Sequence, residues 1–167
     1  MLKKYGYLFL VSGIVILLDQ LSKILVRSQL LFGAIWAPWP ALEEFFKIVH
    51  WKNTGMFMGV LEGFGLLFTL LAVVVAAAGL YFFPRIQRTE RALRLGFSLQ
   101  LGGVVGNLID RLVVGHVTDF ISIRGLPVMN IADIAIYAGL LILAFSVLLR
   151  PENKKNQAET ASPDRQP

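Results

Sequence analysis

GFGLLFTLLAVVVAAAGLYFF, residues Gly63–Phe83, is a run of 21 residues without a charged side chain. A helix of about 20 apolar residues is long enough to cross the hydrocarbon core of a bilayer. Pro84 and Arg85 follow the run directly and are typical of a helix end. The run therefore predicts a transmembrane helix, and it sets the class in which the rest of the chain is interpreted.

Three further segments resemble this run. Tyr5–Leu18 is uncharged and continues as a helix to about Val26, with charged residues where a signal-peptide cleavage site would need small ones. Leu95–Ile109 is uncharged and extends to Val114, and Ile131–Leu149 has Asp133 as its only charge. We predict an all-α integral membrane protein with four transmembrane helices, over residues 5–26, 63–83, 95–114 and 131–149.

Composition supports this class. The chain has 167 residues, 56% of them hydrophobic, with a mean hydropathy of +0.65. We predict one membrane domain over residues 1–150 and a disordered cytoplasmic tail over residues 151–167, which are polar and lack apolar periodicity. The chain has no cysteine, which excludes disulfides, thiolate metal sites and a catalytic thiol.

The placement of positive charge predicts the orientation. Residues 1–4, 84–94 and 150–167 hold ten Lys and Arg in 33 positions, whereas residues 28–62 and 115–130 hold three in 51. Loops rich in Lys and Arg stay in the cytoplasm, so both termini should be cytoplasmic. The net charge of +5 therefore indicates membrane lipids as partners and no nucleic acid.

The outer segment, residues 28–62, is not an ordinary polar loop. It contains all three tryptophans of the chain and several phenylalanines. Aromatic rings of this kind favour the headgroup level, so the segment should lie on the outer leaflet. Phe46–Lys52 is a candidate short strand, and Val117–Ile123 has a similar pattern.

Asp119 and Asp133 stand 14 residues apart, at the outer ends of the third and fourth predicted spans. Taken singly, Asp133 could be a helix N-terminal carboxylate with Asn130 as its N-cap, and Asp119 could be a loop residue. Taken together, a connection of about 16 residues lets the two carboxylates meet. A nearby pair of carboxylates is the equipment of an aspartic hydrolase, so we interpret both as catalytic candidates.

Two other polar groups have simpler interpretations that compete with function. Asp19 and Lys23 are four residues apart and share a helix face, which predicts an ion pair. A structural pair with Lys23 extending outward is favoured over direct catalysis. Asn53-Thr54-Gly55 is typical of a turn, although the Asn53 amide could also hold a peptide backbone.

A dense motif lies in the third span. Gly102 and Gly106 form a small-xxx-small face that lets another helix approach closely. Asn107, Asp110 and Arg111 follow on neighbouring turns and should cluster on one side. They could anchor the helix end, or Arg111 could donate its planar fork to substrate carbonyls.

Together these residues resemble the bacterial lipoprotein signal peptidases (signal peptidase II), a family of aspartic membrane proteases. The resemblance spans about residues 12 to 147. Five motifs carry it in order: Asp19-Gln20-x-Ser22-Lys23, Asn53-Thr54-Gly55, Gly102-Gly103-x-x-Gly106-Asn107-x-x-Asp110-Arg111, Gly115-His116-Val117-x-Asp119-Phe120 and Asn130-x-Ala132-Asp133. Met56-Phe57-Met58 departs from the smaller residues usual there and could reshape the substrate groove.

The resemblance implies a fold with a small surface sheet and a set of site residues. It implies that Asp119 and Asp133 are catalytic and that Asn53, Gly55 and Arg111 bind substrate. The residues that would support the site are Asp19, Lys23, Asn107, Asp110 and Asn130. No metal or cofactor is implied.

The implied reaction removes the signal peptide of a prolipoprotein by cutting just before a cysteine that carries a diacylglyceryl group. The enzyme would be a monomer in the bacterial cytoplasmic (inner) membrane, with its active site near the outer face. A small proton- or ion-coupled transporter is the alternative, because intramembrane aspartates also form proton relays. A non-enzymatic membrane scaffold would leave both aspartates unexplained.

Overall fold

Four long helices and a small sheet make up the structure, a computed structural model that describes residues 2–54 and 65–149. The helices are α1 (Leu2–Gln29), α2 (Gly65–Phe82), α3 (Arg91–Val113) and α4 (Ile131–Leu148). The strands are β1 (Ile35–Trp36), β2 (Phe46–Asn53) and β3 (Val117–Ile123), and short 3₁₀ turns occupy Pro40–Leu42 and Phe83–Arg85. The predicted class, four membrane-length helices with a small sheet, is confirmed.

Each of the four helices is long and apolar enough to cross a membrane. α2 buries none of its residues and exposes a row of large aliphatic side chains. In water such a surface would be unstable, which agrees with a helix of a membrane protein. The chain is a multi-span membrane protein.

α3 is the central helix, because it packs against each of the other three. Its glycines make this close packing possible. A Cβ on Gly102 would lie 2.7 Å from Val15 of α1, and one on Gly106 would lie 2.8 Å from Asp19 Oδ2. The predicted packing face of Gly102 and Gly106 is confirmed, and Gly103 adds a contact with Ala132 of α4.

The sheet is antiparallel, in the order β1-β2-β3. β2 and β3 match the predicted strands within one residue, whereas β1 was not predicted because two residues give no alternation to detect. Asn53 is the last residue of β2 and pairs with Val117 of β3, so the turn interpretation of the Asn53-Thr54-Gly55 motif is wrong for Asn53. Thr54 bends directly after the strand, and Gly55 lies outside the described residues.

The spans agree with the prediction to within four residues at the ends that the structure describes. Gly55, Met56–Gly59, the first two residues of the second predicted span and the tail 151–167 lie outside the described residues. The extra length of α1 comes from polar residues at both of its ends, which hydropathy alone does not assign to a span.

Candidate active site

The register of β2 against β3 places Asn53 beside Asp119. Asp119 lies opposite Trp51 and Asn53 lies opposite Val117, so Asn53 and Asp119 are diagonal neighbours on one face of the sheet. The Asn53 side-chain amide donates to Asp119 Oδ2 at 2.8 Å. The strand pairing therefore builds the first contact of the site.

After β3 the chain turns back and pairs with this strand, and the segment that pairs supplies the second contact of the site. Met129 pairs with Ile121. The Met129 amide donates to the Ile121 carbonyl at 3.0 Å, and the Ile121 amide donates to the Met129 carbonyl at 2.7 Å. This antiparallel bridge brings the next residue, Asn130, alongside β3. The Asn130 side-chain amide then donates to Asp119 Oδ1 at 2.7 Å.

Asn130 is also the N-cap of α4, as predicted. Its side-chain oxygen accepts from the Asp133 amide at 2.9 Å, and the Asp133 Oδ2 accepts from the Asn130 amide at 3.1 Å, a capping box. Asp133 Oδ1 accepts from the Asn107 side-chain amide at 2.8 Å. Asn130 therefore contacts both acidic residues and fixes their relative position.

The environment of Asp119 favours its protonated form. The side chain is buried, with an exposed fraction of 2%. Burial, and after it the charge of Asp133, raises the pKa of Asp119 from its usual 3.8 to about 7, although hydrogen bonds from Asn53 and Asn130 oppose the rise. A carboxyl group in this state can hold a proton near neutral pH.

A buried ionic network lies behind the acidic pair. Lys23 Nζ is 2.8 Å from Asp19 Oδ2 and 3.3 Å from Asp110 Oδ2, and all three side chains have an exposed fraction of 0%. Lys23 also donates to Asn107 Oδ1 at 2.9 Å. The predicted Asp19–Lys23 pair is confirmed, but the expectation that Lys23 extends outward is wrong, because its partners lie inside the bundle.

The network fixes the orientation of the Asn107 amide. Its oxygen accepts from Lys23 and from the Asn130 side chain, so its NH₂ group is left to face Asp133. Asp19 Oδ1 accepts from the Ala132 amide at 2.9 Å and holds the first turn of α4. These contacts place Lys23 and Asp19 behind the site rather than in it.

Asp110 anchors the start of β3. Its Oδ2 accepts from the Thr118 amide at 2.9 Å, one residue before Asp119. Arg27 donates to Thr118 Oγ1 at 2.9 Å and lies 3.3 Å from Asp110 Oδ1. Arg27 was not predicted as a site residue, although its spacing of four from Lys23 and eight from Asp19 places all three on one helix face.

A cavity of about 330 Å³ opens beside the acidic pair. Its polar lining comes from Asn53, Thr54, Thr69, Arg111 and His116, and its apolar lining from Leu66 and Leu112. Arg111 donates one hydrogen bond to the Asn107 carbonyl at 3.4 Å. It therefore lies beside Asn107, as predicted, and it also lines the cavity.

His116 belongs to one of the five sequence motifs, but it was not predicted as a site residue. Burial, and after it the charge of Lys52, lowers the pKa of His116 below its ordinary value, against the charge of Asp110. Its Nε2 is buried and has no hydrogen-bond partner among residues 2–54 and 65–149. An unsatisfied ring nitrogen on a cavity wall is a signal that only a three-dimensional structure gives.

The predicted site residues within the described ranges thus fall into two groups. Asn53, Asn107 and Asn130 contact an acidic side chain directly, and Arg111 lines the adjoining cavity. The second group, Asp19, Lys23 and Asp110, forms the buried ionic network that lies behind the acidic pair. Gly55 lies outside the described residues.

Comparisons with known proteins give a consistent result. The family model described as signal peptidase (SPase) II, Peptidase_A8, matches residues 11–149. A lipoprotein signal peptidase of Moorella thermoacetica is 36% identical over 140 residues, covering 84% of this chain and 91% of the relative. One from Bacillus subtilis is 32% identical over 153 residues, covering 89% and 97%.

Two solved structures are similar in fold, and both are described as bacterial membrane enzymes. One has a TM-score of 0.82 and 28% identity, covering 90% of this chain and 92% of the other. The second has a TM-score of 0.77 and 27% identity, covering 87% and 94%. The arrangement of four helices and a small sheet is therefore that of a known membrane enzyme fold.

Proposed function

Since this chain belongs to the signal peptidase II family, we propose that it is an aspartic endopeptidase that removes the signal peptides of prolipoproteins. We further propose that it cuts just before a cysteine carrying a diacylglyceryl group. The observation that carries the mechanism is the contact of one residue, Asn130, with both Asp119 and Asp133. Two carboxylates held together in a partly dry site are equipped to share one proton.

The reaction then follows the chemistry of such a pair. The ionised carboxylate takes a proton from a water molecule, and the water oxygen attacks the scissile carbonyl. The protonated carboxyl group donates to the carbonyl oxygen and stabilises the charge that develops there. The proton taken from water is passed to the leaving amine as the peptide bond breaks. No step of this sequence uses a cofactor.

The neighbouring amides keep the pair in position for this work. Each carboxylate accepts two N–H donors: Asp119 from Asn53 and Asn130, and Asp133 from Asn107 and Asn130. Such fixed donors orient the acidic side chains without removing the shared proton. Asn53, Gly55 and Arg111 are our proposed substrate-binding residues, and two of them line the cavity beside the pair.

The transporter alternative has less support. Intramembrane carboxylates of transporters lie near the midplane on discontinuous helices. Here Asp119 belongs to a strand outside the helices, and Asp133 lies in the first turn of α4. Both acidic residues are therefore at one end of the bundle, beside the sheet.

The test is cleavage of a diacylglyceryl-modified prolipoprotein by purified wild type and by Asp119→Asn, Asp133→Asn and the double variant. Each single variant should lose several orders of magnitude in rate while still folding, because Asn cannot exchange the proton. The double variant should be little worse than either single one, since the two residues act as a unit. Unchanged cleavage by either single variant would contradict the proposed mechanism.

We also propose that residues 1–150 are one domain of the bacterial inner membrane, that both termini are cytoplasmic, and that the acidic pair is near the outer face. The chain has no cysteine, so single cysteines introduced at Gln87 and at Leu42 can be labelled without background. A membrane-impermeant thiol reagent added to intact cells should reach Leu42→Cys and not Gln87→Cys. Labelling of both from outside would contradict this orientation.

A further inference from the structure

The imidazole of His116 lies on the cavity wall and is not used by the proposed reaction. Its Nε2 is buried and unpaired among the described residues, and it lines the cavity together with Asn53 and Arg111. A buried polar atom without a hydrogen-bond partner destabilises the protein, because it has lost its bonds to water without replacing them. A group that binds in the cavity would remove that destabilisation.

The tautomer of the ring indicates what kind of group this is. The backbone of Val114 raises the pKa of His116, as an acceptor facing the ring does, although burial outweighs this effect. Since Nε2 has no partner among the described residues, we assign the interaction with Val114 to Nδ1. The neutral ring then carries its hydrogen on Nδ1, and Nε2 is an acceptor.

Other polar residues of the cavity lining supply hydrogen-bond donors. Arg111 has five N–H donors and spends one on the Asn107 carbonyl, and the Thr54 hydroxyl can donate as well. The wall therefore offers donors together with the unpaired acceptor Nε2 of His116. The ester carbonyls of a lipid have no hydrogen to give to Nε2, whereas an extended peptide backbone alternates C=O and N–H groups.

From this arrangement we propose that His116 is a substrate-positioning residue whose Nε2 accepts a hydrogen bond from a backbone N–H of the peptide bound in the cavity. The inference rests on the proposed function and specifies one contact of its substrate. Arg111 would donate to a carbonyl of the same peptide segment. The contact holds the peptide in register with the acidic pair, and it takes no part in proton transfer.

The experiment uses a synthetic diacylglyceryl-modified prolipoprotein peptide in which the backbone amides are N-methylated one at a time. With the wild type, methylation at one position should raise KM about 3- to 10-fold, the range expected for one neutral hydrogen bond. His116→Phe should raise KM for the unmodified peptide by a similar factor and leave kcat close to that of the wild type. With His116→Phe, methylation at that same position should add no further loss.

Two further variants separate positioning from a general effect on the fold. His116→Gln places an amide oxygen near the position of Nε2, so it should restore the unmodified KM and the sensitivity to methylation. His50, the other histidine of the chain, bonds to the Leu30 carbonyl through Nδ1 and lies outside the cavity lining. His50→Phe should therefore leave the sensitivity to methylation as it is in the wild type. Where His116→Phe does not insert, His116→Leu serves the same purpose.

The outcomes discriminate between the two proposals. If the wild type cuts the peptide but the effects of methylation and of the His116 substitution multiply at every position, the role of His116 is wrong and the proposed function stands. If the wild type does not cut the peptide at all, both proposals are wrong. Loss of sensitivity at a single position, with rescue by Gln, supports the inference.

Discussion

The side-chain amide of Asn130 donates to Asp119 Oδ1 at 2.7 Å, and both side chains are buried. The same residue caps α4, so one side-chain amide contacts both a helix end and a candidate catalytic residue. Its orientation cannot be reversed, because its oxygen is held by the Asp133 amide. The cap of a helix is thus part of the site.

Asn130→Ser should separate these two roles. Serine is a good N-cap but has no amide to reach Asp119, so folding should be retained. The rate of cleavage should fall about 10-fold or more, as expected for losing a hydrogen bond to a charged group. The measurements are kcat/KM and the unfolding midpoint from tryptophan fluorescence in detergent. A fully active Asn130→Ser would show that the contact with Asp119 has no role in catalysis.

Asn130→Asp makes the matched comparison. It also keeps the cap, but it brings a third carboxylate to Asp119 and so disfavours ionisation of the pair. Its activity should be lower than that of Asn130→Ser, with a similar unfolding midpoint. If the two variants instead lost activity in proportion to lost stability, Asn130 would be structural only.

Helical spacing predicted the ion pair of Asp19 and Lys23, but not the direction of the lysine. Spacing along one helix specifies which residues share a face, and it does not say what that face contacts. Besides Asp19, Lys23 contacts Asn107 and Asp110, which are more than 80 residues away in the chain. The same limitation explains why Arg27 was missed, since its partner Thr118 belongs to a strand.

The strands and the acidic pair show which features local sequence patterns can predict and which they cannot. Runs of β-branched and aromatic residues predicted β2 and β3 closely. Charge placed in apolar surroundings made Asp119 and Asp133 the catalytic candidates. The register of the two strands was not predictable, because it depends on pairing between segments 66 residues apart. Without that register Asn53 remained a turn former, and His116 had no cavity to line.

Removal of the buried cation should destabilise the protein strongly. Lys23→Met leaves the buried Asp19 without its ion-pair partner, whereas Asp110 keeps its ion pair with Arg27. Breaking a buried ion pair from one side costs about 3 to 5 kcal/mol in free energy of unfolding. Asp19→Asn should cost less, because Lys23 keeps Asp110 at 3.3 Å and the Ala132 amide keeps an oxygen acceptor. Denaturation in mixed micelles measures both, and equal losses would contradict the network as described.

Close contact between α3 and α4 should be sensitive to a single methyl group. A Cβ on Gly103 would lie 2.7 Å from Ile136 Cγ1 and closer still to the Ala132 carbonyl, which is backbone and cannot move aside. Gly103→Ala should therefore cost about 1–3 kcal/mol and lower activity, since it displaces the first turn of α4 from Asn107. Gly13→Ala on α1 is the control, because a Cβ there meets nothing within 4 Å. A variant at Gly103 as stable as the one at Gly13 would show that the helices are not in tight contact.

Stability should depend on pH through Asp119. Its pKa is raised to about 7 in the folded protein from its ordinary value of 3.8, which applies to the unfolded chain, so the folded state binds the proton more tightly. The contribution of the protonated group to stability is fully present below about pH 4 and is lost as pH rises through about 7. Asp119→Asn cannot lose a proton, so it should lack this decline and be the more stable protein at pH 8.

Subtracting the two curves of unfolding free energy against pH removes the contribution of the other groups. Parallel curves for wild type and Asp119→Asn between pH 4 and 8 would mean that Asp119 ionises as an ordinary surface carboxylate, and the proposed sharing of a proton with Asp133 would lose its support.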